Sequence, residues 1–390
     1  MKKITVIVLA VFFYAFAQEN VAIINANTLY PFFEKLKDIE NRKKINILHI
    51  GDSHVQGNFF SSVARKTLQE KFGNGGAGFV FPYNLAKTNS GTNKFAGWSS
   101  QDLWSSCRIS RKSGCSSQIV FGISGYGLAT EDNNFEISLE VPEYWKFDKI
   151  TLFYPNETPP FSLKNDLGAA NLIGMATENK FFAKYQSPAP MTNVRIFRNK
   201  NYTDYKNYNN YNFHGAFLEN DSVGIIYSSI GVNGAKTADF AQNSMFFEQI
   251  PAIAPDLLIV SFGTNEAFSE ISPEVFVSQI DVLVSKVREK CGEIPVIVTT
   301  PPLSFTKKNE MNFIHQYSKD IAKTKHYAVW DLHKLTHDLL SEKNGLKLFL
   351  ADDKIHYSAN GYRRTGAFFA NAILENYKVF LGNLPPSAAK

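Results

Sequence analysis

The sequence is poor in the features that mark membrane, disulfide-rich or nucleic-acid-binding proteins. Its 390 residues contain only three cysteines, and no long apolar run follows the N-terminal one. It has no Cys/His cluster with metal-ligand spacing and no glycine fingerprint for a dinucleotide, so we expect neither a metal nor a cofactor. The formal net charge of +5 is mild, and the absence of a Lys/Arg-rich run argues against nucleic acid as a partner.

The N-terminus holds the one sustained apolar stretch. Met1-Lys2-Lys3 precedes apolar residues 4–15, and Ala15-Phe16-Ala17 has the small-x-small pattern of a cleavage site. A short apolar run with a basic front is typical of a secretory signal peptide and is too short for a membrane span. We therefore expect residues 1–17 to be removed, leaving a periplasmic or secreted chain without a membrane span.

An oxidising compartment affects how the three cysteines are interpreted. Cys107 and Cys115 are close enough in sequence to bridge a hairpin, which would leave Cys291 unpaired. The alternative is that all three are ordinary buried thiols.

Short apolar runs alternate with amphipathic patterns on both sides of a long middle segment. Before it, we expect a helix over 27–43, a buried strand over Ile45–Ile50 and a helix over Ser61–Phe72. The strands expected after it are 223–228, 257–261, 296–299 and 328–331, and the helices are 238–249, 273–291, 310–324 and 359–377. This alternation predicts a parallel sheet covered by helices on both faces.

The middle segment, 90–221, is rich in Phe, Tyr, Asn, Ser and Gly. It predicts an all-β sandwich or jelly roll inserted between the first helix and the second strand of the α/β domain. Within it, 201–212 is biased toward Tyr and Asn, as either a carbohydrate-stacking loop or an exposed connection. Its expected strands are 118–121, 135–141, 149–153, 180–185 and 193–198.

Two distant segments together supply the parts of a nucleophilic serine site. Ser53 follows a predicted strand in Gly51-Asp52-Ser53-His54, and His356 follows Asp353 by three residues. Serine needs a base to become a nucleophile, and a carboxylate at this spacing can orient the imidazole. Asp352 is the rival carboxylate. The alternative for Gly-Asp-Ser is a plain turn.

These segments, in this order, resemble the SGNH hydrolase superfamily, the GDSL-like esterases. The resembling blocks are Gly51–His54, Ile230–Gly234, Gly263–Glu266 and Asp353–His356, within 45–80 and 222–377. The resemblance implies a three-layer α/β/α sandwich with a flavodoxin-like parallel sheet, divided as 18–89 and 222–390 around the jelly-roll-like insertion at 90–221. It also implies a serine esterase.

Further details resemble one branch of that superfamily. His54 stands where many members have Leu, and Glu266 where many have Asp; both variants, and the glycine-rich stretch 73–80, resemble bacterial peptidoglycan O-acetylesterases. That branch implies an O-acetylated glycan as partner, with acetate on N-acetylmuramyl residues. An esterase or acyltransferase for another polysaccharide remains an alternative, as does a non-catalytic glycan-binding protein.

Catalysis by such a serine needs donors aimed at the developing oxyanion. We expect these to be the backbone N–H of Ser53, the backbone N–H of Gly234 and the side-chain amide of Asn265, with Gly231 as the rival of Gly234. Glycine at this place lets the backbone approach a substrate closely.

Two other patterns have simpler interpretations. The stretch Gly73–Gly78 lacks a P-loop ending, so we interpret it as an active-site loop rather than a phosphate cradle. His333 and His337 lie four residues apart without a third metal ligand, so we expect a solvated helix face there.

Overall fold

The computed structural model describes residues 22–89, 96–99, 103–155, 159–164, 173–175, 180–200, 210–269, 271–306 and 308–383. The expected signal peptide and most of the Tyr/Asn-rich stretch lie outside these ranges.

The strands, in chain order, are β1 (Ile23–Ile24), β2 (Lys44–Gly51), β3 (Gly78–Val80), β4 (Ala96–Trp98), β5 (Ser105–Arg108), β6 (Tyr126–Thr130), β7 (Glu136–Glu140), β8 (Phe147–Phe153), β9 (Phe161–Lys164), β10 (Ile173–Met175), β11 (Phe182–Met191), β12 (Asn193–Arg198), β13 (Tyr211–Asn212), β14 (Gly215–Glu219), β15 (Gly224–Gly231), β16 (Leu257–Ser261), β17 (Val296–Thr299) and β18 (Ala328–Trp330).

The helices fall mainly before and after the middle segment. No described helix combines the length and apolar character needed to cross a bilayer. In chain order they are α1 (Tyr30–Lys37), α2 (Ile39–Arg42), α3 (Ser53–Gln56), α4 (Phe59–Phe72), α5 (Thr237–Ala241), α6 (Ser244–Gln249), α7 (Thr264–Phe268), α8 (Pro273–Cys291), α9 (Lys308–Thr324), α10 (Leu332–Ser341), α11 (Gly345–Phe349) and α12 (Ala359–Gly382).

The central sheet has the strand order β1-β18-β17-β16-β2-β15. Strands β2 and β15 to β18 pair in parallel, as predicted. The edge strand β1 is antiparallel to β18, and its two residues are too few to form an apolar run that would predict a strand. Strand β2 lies inside the sheet, and its residues Ile45, Ile47, Leu48 and Ile50 are all buried, as expected for a strand covered on both faces.

Each face of the central sheet has its own apolar core. Ile47 lies in the core that packs against α1, α4 and α12. Leu48 lies in the core on the other face, with α8 and residues of the middle segment such as Phe153 and Phe217. Because neighbouring side chains of a strand point to opposite faces, one short apolar run contributes to both cores. The result is a mixed α/β fold with helices on both faces of a mostly parallel sheet.

The middle segment forms antiparallel sheets. Their strand orders are β10-β11-β8-β14-β3, β4-β7-β12-β9 and β13-β6-β5. Strand β3 precedes residue 90 yet pairs with β14. The expected strand at 118–121 is wrong, because Val120 N–H donates to the side chain of Asn212 rather than to a neighbouring strand. The domain boundaries and the jelly-roll topology stay predictions.

Two predicted helices are each divided in the structure. The helix expected over 27–43 contains a break at Asp38 between α1 and α2. The helix expected over 238–249 is two helices, because the side chain of Asn243 accepts a hydrogen bond from Phe246 N–H and starts α6 anew.

Of the two alternatives left open for the cysteines, the structure contains the disulfide. Cys107 and Cys115 are bonded, while Cys291 is a free, half-buried thiol. The bridge closes the loop that follows β5.

Candidate active site

Ser53 lies at the carboxyl end of β2, where the chain turns sharply into α3. Gly51 is needed for this turn, since a Cβ there would lie 2.4 Å from Val55 Cγ2 and 2.5 Å from the carbonyl oxygen of Ser261. The side chain of Asp52 accepts a hydrogen bond from His54 N–H at 2.9 Å and caps the short helix. The turn thereby presents the half-buried Ser53 at the carboxyl edge of the central sheet.

His356 and Asp353 come from the loop before α12 and meet Ser53 there. His356 Nε2 lies 2.8 Å from Ser53 Oγ, and His356 Nδ1 lies 2.6 Å from Asp353 Oδ2. Asp353 Oδ1 also accepts from the backbone N–H groups of Ile355 and His356, each at 2.9 Å. The structure therefore joins the three predicted residues in one hydrogen-bonded chain, with Asp353 rather than Asp352 against the imidazole.

The surroundings of Asp353 favour its ionised form. Partial burial raises the pKa of this carboxyl, but the hydrogen bonds from the His356 side chain and from the two backbone N–H groups outweigh burial and lower the pKa to about 2. Asp353 is thus a carboxylate throughout the neutral range and can stabilise an imidazolium on His356.

The three expected oxyanion donors lie on adjoining turns. Neither the Ser53 nor the Gly234 backbone N–H donates to another group in the described part of the chain. Asn265 Nδ2 donates to the carbonyl oxygen of Ala235 at 2.9 Å and approaches Asp52 Oδ2 at 3.5 Å. Asn265 therefore contacts both the turn of Ser53 and the turn of Gly234.

The structure separates Gly234 from its rival Gly231. Gly231 is the last residue of β15 and pairs with Gly51, and a Cβ on it would lie 2.1 Å from Gln56 N. Gly231 thus serves close packing of β15 against α3. Gly234 has φ +76° in the following turn, where, of the described residues other than its chain neighbours, only Ser110 would meet an added Cβ within 4 Å.

Two buried carboxyls, those of Asp52 and Glu266, accept hydrogen bonds from the backbone of these turns. Glu266 accepts hydrogen bonds from Thr237 N–H, Thr237 Oγ1 and Gly263 N–H, and so ties the start of α5 to the start of α7. Burial raises the pKa of Glu266, and it raises the pKa of Asp52 to about 8. The sequence pattern marked both positions but did not show that they are buried.

The raised pKa of Asp52 predicts a pH-dependent stability. The pKa of Asp52 is about 8 in the folded protein, against the usual 3.8. The contribution of protonated Asp52 to the free energy of unfolding is therefore fully present below the usual pKa and is lost as pH rises toward 8. The side chain of Asp52→Asn stays neutral, so the variant does not share this loss. We expect its free energy of unfolding, relative to that of wild type, to increase between pH 5 and pH 8. Urea unfolding at both pH values tests this, with exposed Asp352→Asn as control. An unchanged difference between Asp52→Asn and wild type would contradict it.

His54 packs beside His356 and contacts Tyr362 of α12. Its Nδ1 lies 2.8 Å from Tyr362 Oη, and its ring centroid lies 5.1 Å from that of His356. Burial lowers the pKa of His54 to about 3, so a neutral ring packs beside His356. Tyr362 lies 308 positions from His54 in the chain, and no local pattern indicated this contact.

Two of the simpler sequence interpretations are wrong in part. His337 is exposed as expected, but His333 is buried and stacks on His315 with ring centroids 4.2 Å apart.

The stretch Gly73–Gly78 is not an active-site loop. Gly73 and Gly75 hydrogen-bond with Ile225 near the start of β15, at the opposite end of the strand from the edge that carries Ser53. Among the described residues, no group of three or more His, Cys, Asp and Glu could hold a metal ion.

Known proteins resemble this chain in one family domain and in the overall fold. Residues 200–364 match the GDSL-like Lipase/Acylhydrolase family. No curated protein matches the chain. A solved structure of a peptidoglycan O-acetylesterase is 21% identical, covers 90% of this chain and 96% of its own, and has a TM-score of 0.69.

Two further solved structures match only part of the chain. A lipase/acylhydrolase from Enterococcus faecalis is 20% identical, covers 39% of this chain and 76% of its own, and has a TM-score of 0.31. A catalytic mutant of an acetylxylan esterase from Geobacillus stearothermophilus is 18% identical, covers 40% and 74%, and has a TM-score of 0.33. Both scores are too low to bear on the fold of the whole chain. Residues 200–364 thus match a GDSL-like lipase/acylhydrolase domain, the chain shares its overall fold with a solved peptidoglycan O-acetylesterase, and both findings support a carboxylic ester hydrolase.

Proposed function

We propose that the protein is a secreted serine esterase that removes O-acetyl groups from peptidoglycan. The observation that carries the proposal is the chain of hydrogen bonds from Ser53 Oγ through His356 to Asp353, at 2.8 and 2.6 Å. Distances of this kind between nucleophile, base and orienting carboxylate support acyl transfer through a serine.

In the first step Ser53 Oγ attacks the carbonyl carbon of the acetyl ester, and its proton passes to His356 Nε2. Asp353 holds the imidazole by Nδ1 and stabilises its positive charge. The oxyanion is stabilised by the N–H groups of Ser53 and Gly234 and by the amide of Asn265. When the tetrahedral intermediate collapses, the bond to the sugar oxygen breaks and His356 returns the proton to that oxygen, which leaves an acetyl group on Ser53.

In the second step His356 accepts a proton from water, and the water oxygen attacks the acetyl carbonyl. The bond to Ser53 Oγ then breaks, Ser53 regains its proton from His356, and acetate leaves. The same three donors stabilise this second oxyanion.

The exposure of the site supports a polymeric substrate. The side chains of His356 and Asp353 are 37% and 49% exposed, so an acetyl group can reach Ser53 without the polymer being enclosed. Peptidoglycan as the substrate is supported by the overall fold shared with a solved peptidoglycan O-acetylesterase and by the expected signal peptide.

Acetate release from isolated cell wall tests the proposal. We expect the enzyme to release acetate from O-acetylated peptidoglycan and none from the same material after mild base has removed its esters. Ser53→Ala should release none from either. Faster release from acetylxylan would indicate another glycan as substrate, and transfer of acetyl to an added glycan would indicate a transferase. Saturable binding without turnover would indicate a glycan-binding protein.

A further inference from the structure

The Gly234 N–H belongs to a turn whose central peptide can adopt two orientations. Ala235 N–H donates to the carbonyl oxygen of Val232 at 3.0 Å, and Gly234, at the third position, has φ +76° while Asn233 has a negative φ. These values define a type II turn. In a type I turn the Asn233–Gly234 peptide is reversed, and glycine is compatible with both forms.

A side chain from the middle segment holds this peptide in one orientation. Ser110 Oγ donates to the carbonyl oxygen of Asn233 at 2.7 Å. That carbonyl and the Gly234 N–H are the two ends of the same planar trans peptide, so they point in opposite directions. A donor fixed on the carbonyl side therefore aims the N–H away from Ser110. It also polarises the peptide and strengthens the N–H as a donor.

The residue before this peptide is fixed from the side of the nucleophile. Asn233 N–H donates at 2.7 Å to Gln56 Oε1, and Gln56 is buried at the end of α3, which Ser53 begins. Gln56 thus sets the position of the turn relative to Ser53. It makes no bond to the Asn233 carbonyl, whose orientation is left to Ser110.

Ser110 is itself held on a short, cross-linked loop. The preceding residue, Ile109, is buried, and its N–H donates to the carbonyl oxygen of Gly125 at 3.0 Å. The disulfide between Cys107 and Cys115 closes the loop that contains Ser110. The hydroxyl therefore approaches Asn233 from a supported backbone.

We propose that Ser110 is a positioning residue for the oxyanion site: its hydroxyl holds the Asn233–Gly234 peptide so that the Gly234 N–H faces the reacting carbonyl. This inference rests on the proposed function, because it gives Ser110, which lies outside the hydrolase motifs, a role in the same reaction. The step it assists is unchanged, since Ser110 exchanges no proton with the substrate.

The test compares Ser110→Ala with Ser106→Ala on p-nitrophenyl acetate. Ser106 lies on the same hairpin, and its hydroxyl also donates to a backbone carbonyl, that of Ala86 at 2.9 Å, away from the oxyanion turn. We expect Ser110→Ala to lower kcat about 10- to 100-fold with KM little changed, because the donor remains but is no longer held. Ser106→Ala should leave kcat near wild type. Equal kcat values for the two variants would overturn the inference.

A second pair of variants separates the hydroxyl from the shape of the side chain. Ser110→Thr retains a donor, whereas Ser110→Val has nearly the same shape without one. We expect kcat to be retained in the threonine variant and to fall in the valine variant. Equal losses in both would show that Ser110 only fills space, which overturns the inference.

Ser53→Ala, measured beside these variants, distinguishes failure of the inference from failure of the proposed function. Retained hydrolysis in Ser53→Ala would overturn both, because no acyl-enzyme on Ser53 would then be involved. An inactive Ser53→Ala together with a fully active Ser110→Ala would overturn the role of Ser110 alone.

Discussion

Ser53→Ala and His356→Ala are each expected to lower kcat for acetyl-ester hydrolysis by at least about a thousandfold. The first removes the nucleophile and the second removes the base that lies 2.8 Å from it. Because the two groups act as one unit, the double variant should be little slower than either single variant. Steady-state kinetics with p-nitrophenyl acetate measures all three.

Matched substitutions at two exposed positions of α10 serve as controls. Ser341 and His337 lie on α10 and are exposed, so Ser341→Ala and His337→Ala should keep wild-type rates. If Ser53→Ala kept more than about a tenth of wild-type activity, the site would have to lie elsewhere, because no serine triad tolerates that loss of its nucleophile so well.

Asp353→Asn is expected to lower kcat by about a hundredfold or more. The asparagine oxygen can still accept the backbone N–H groups of Ile355 and His356. Its NH₂ group, however, would then face His356 Nδ1, which now lies 2.6 Å from a carboxylate oxygen. That arrangement favours the tautomer with the proton on Nε2, which cannot accept the proton of Ser53.

Asp352→Asn is the control for this prediction, because the neighbouring carboxyl is exposed and Asp353 occupies the place beside the imidazole. Its kcat should equal that of wild type. The reverse ranking of the two variants would mean that Asp352 orients His356 in the working enzyme.

The elements that carry the site could be predicted because their patterns are local. Strand β2 is a short apolar run ending in Gly-Asp-Ser, and the parallel strands after residue 222 repeat this alternation. Asp353 and His356 are three residues apart, so a single turn decides whether they meet. The contact of His356 with Ser53 follows once both loops stand at the carboxyl edge of one sheet.

The groups that complete the site could not be predicted, because their partners are distant in sequence. Gln56 bonds to Asn233, Ser110 to the same residue, and His54 to Tyr362. None of these polar residues has a spacing that distinguishes it from surface residues of the same type. The burial of His333 could not be predicted for a related reason. The His315 ring that stacks on it belongs to another helix, and the sequence around His333 does not indicate this contact.

Strand β2 is synthesised early, but the strands that pair with it are synthesised much later. Its neighbours β15 and β16 begin only at Gly224 and Leu257. Closing so long a loop costs entropy before any pairing compensates it, and contacts of this range slow folding. Until then an apolar strand with unpaired backbone groups is open to pairing with other chains. We therefore expect the yield of folded enzyme to depend on how well β2 is protected from other chains until β15 and β16 have been synthesised.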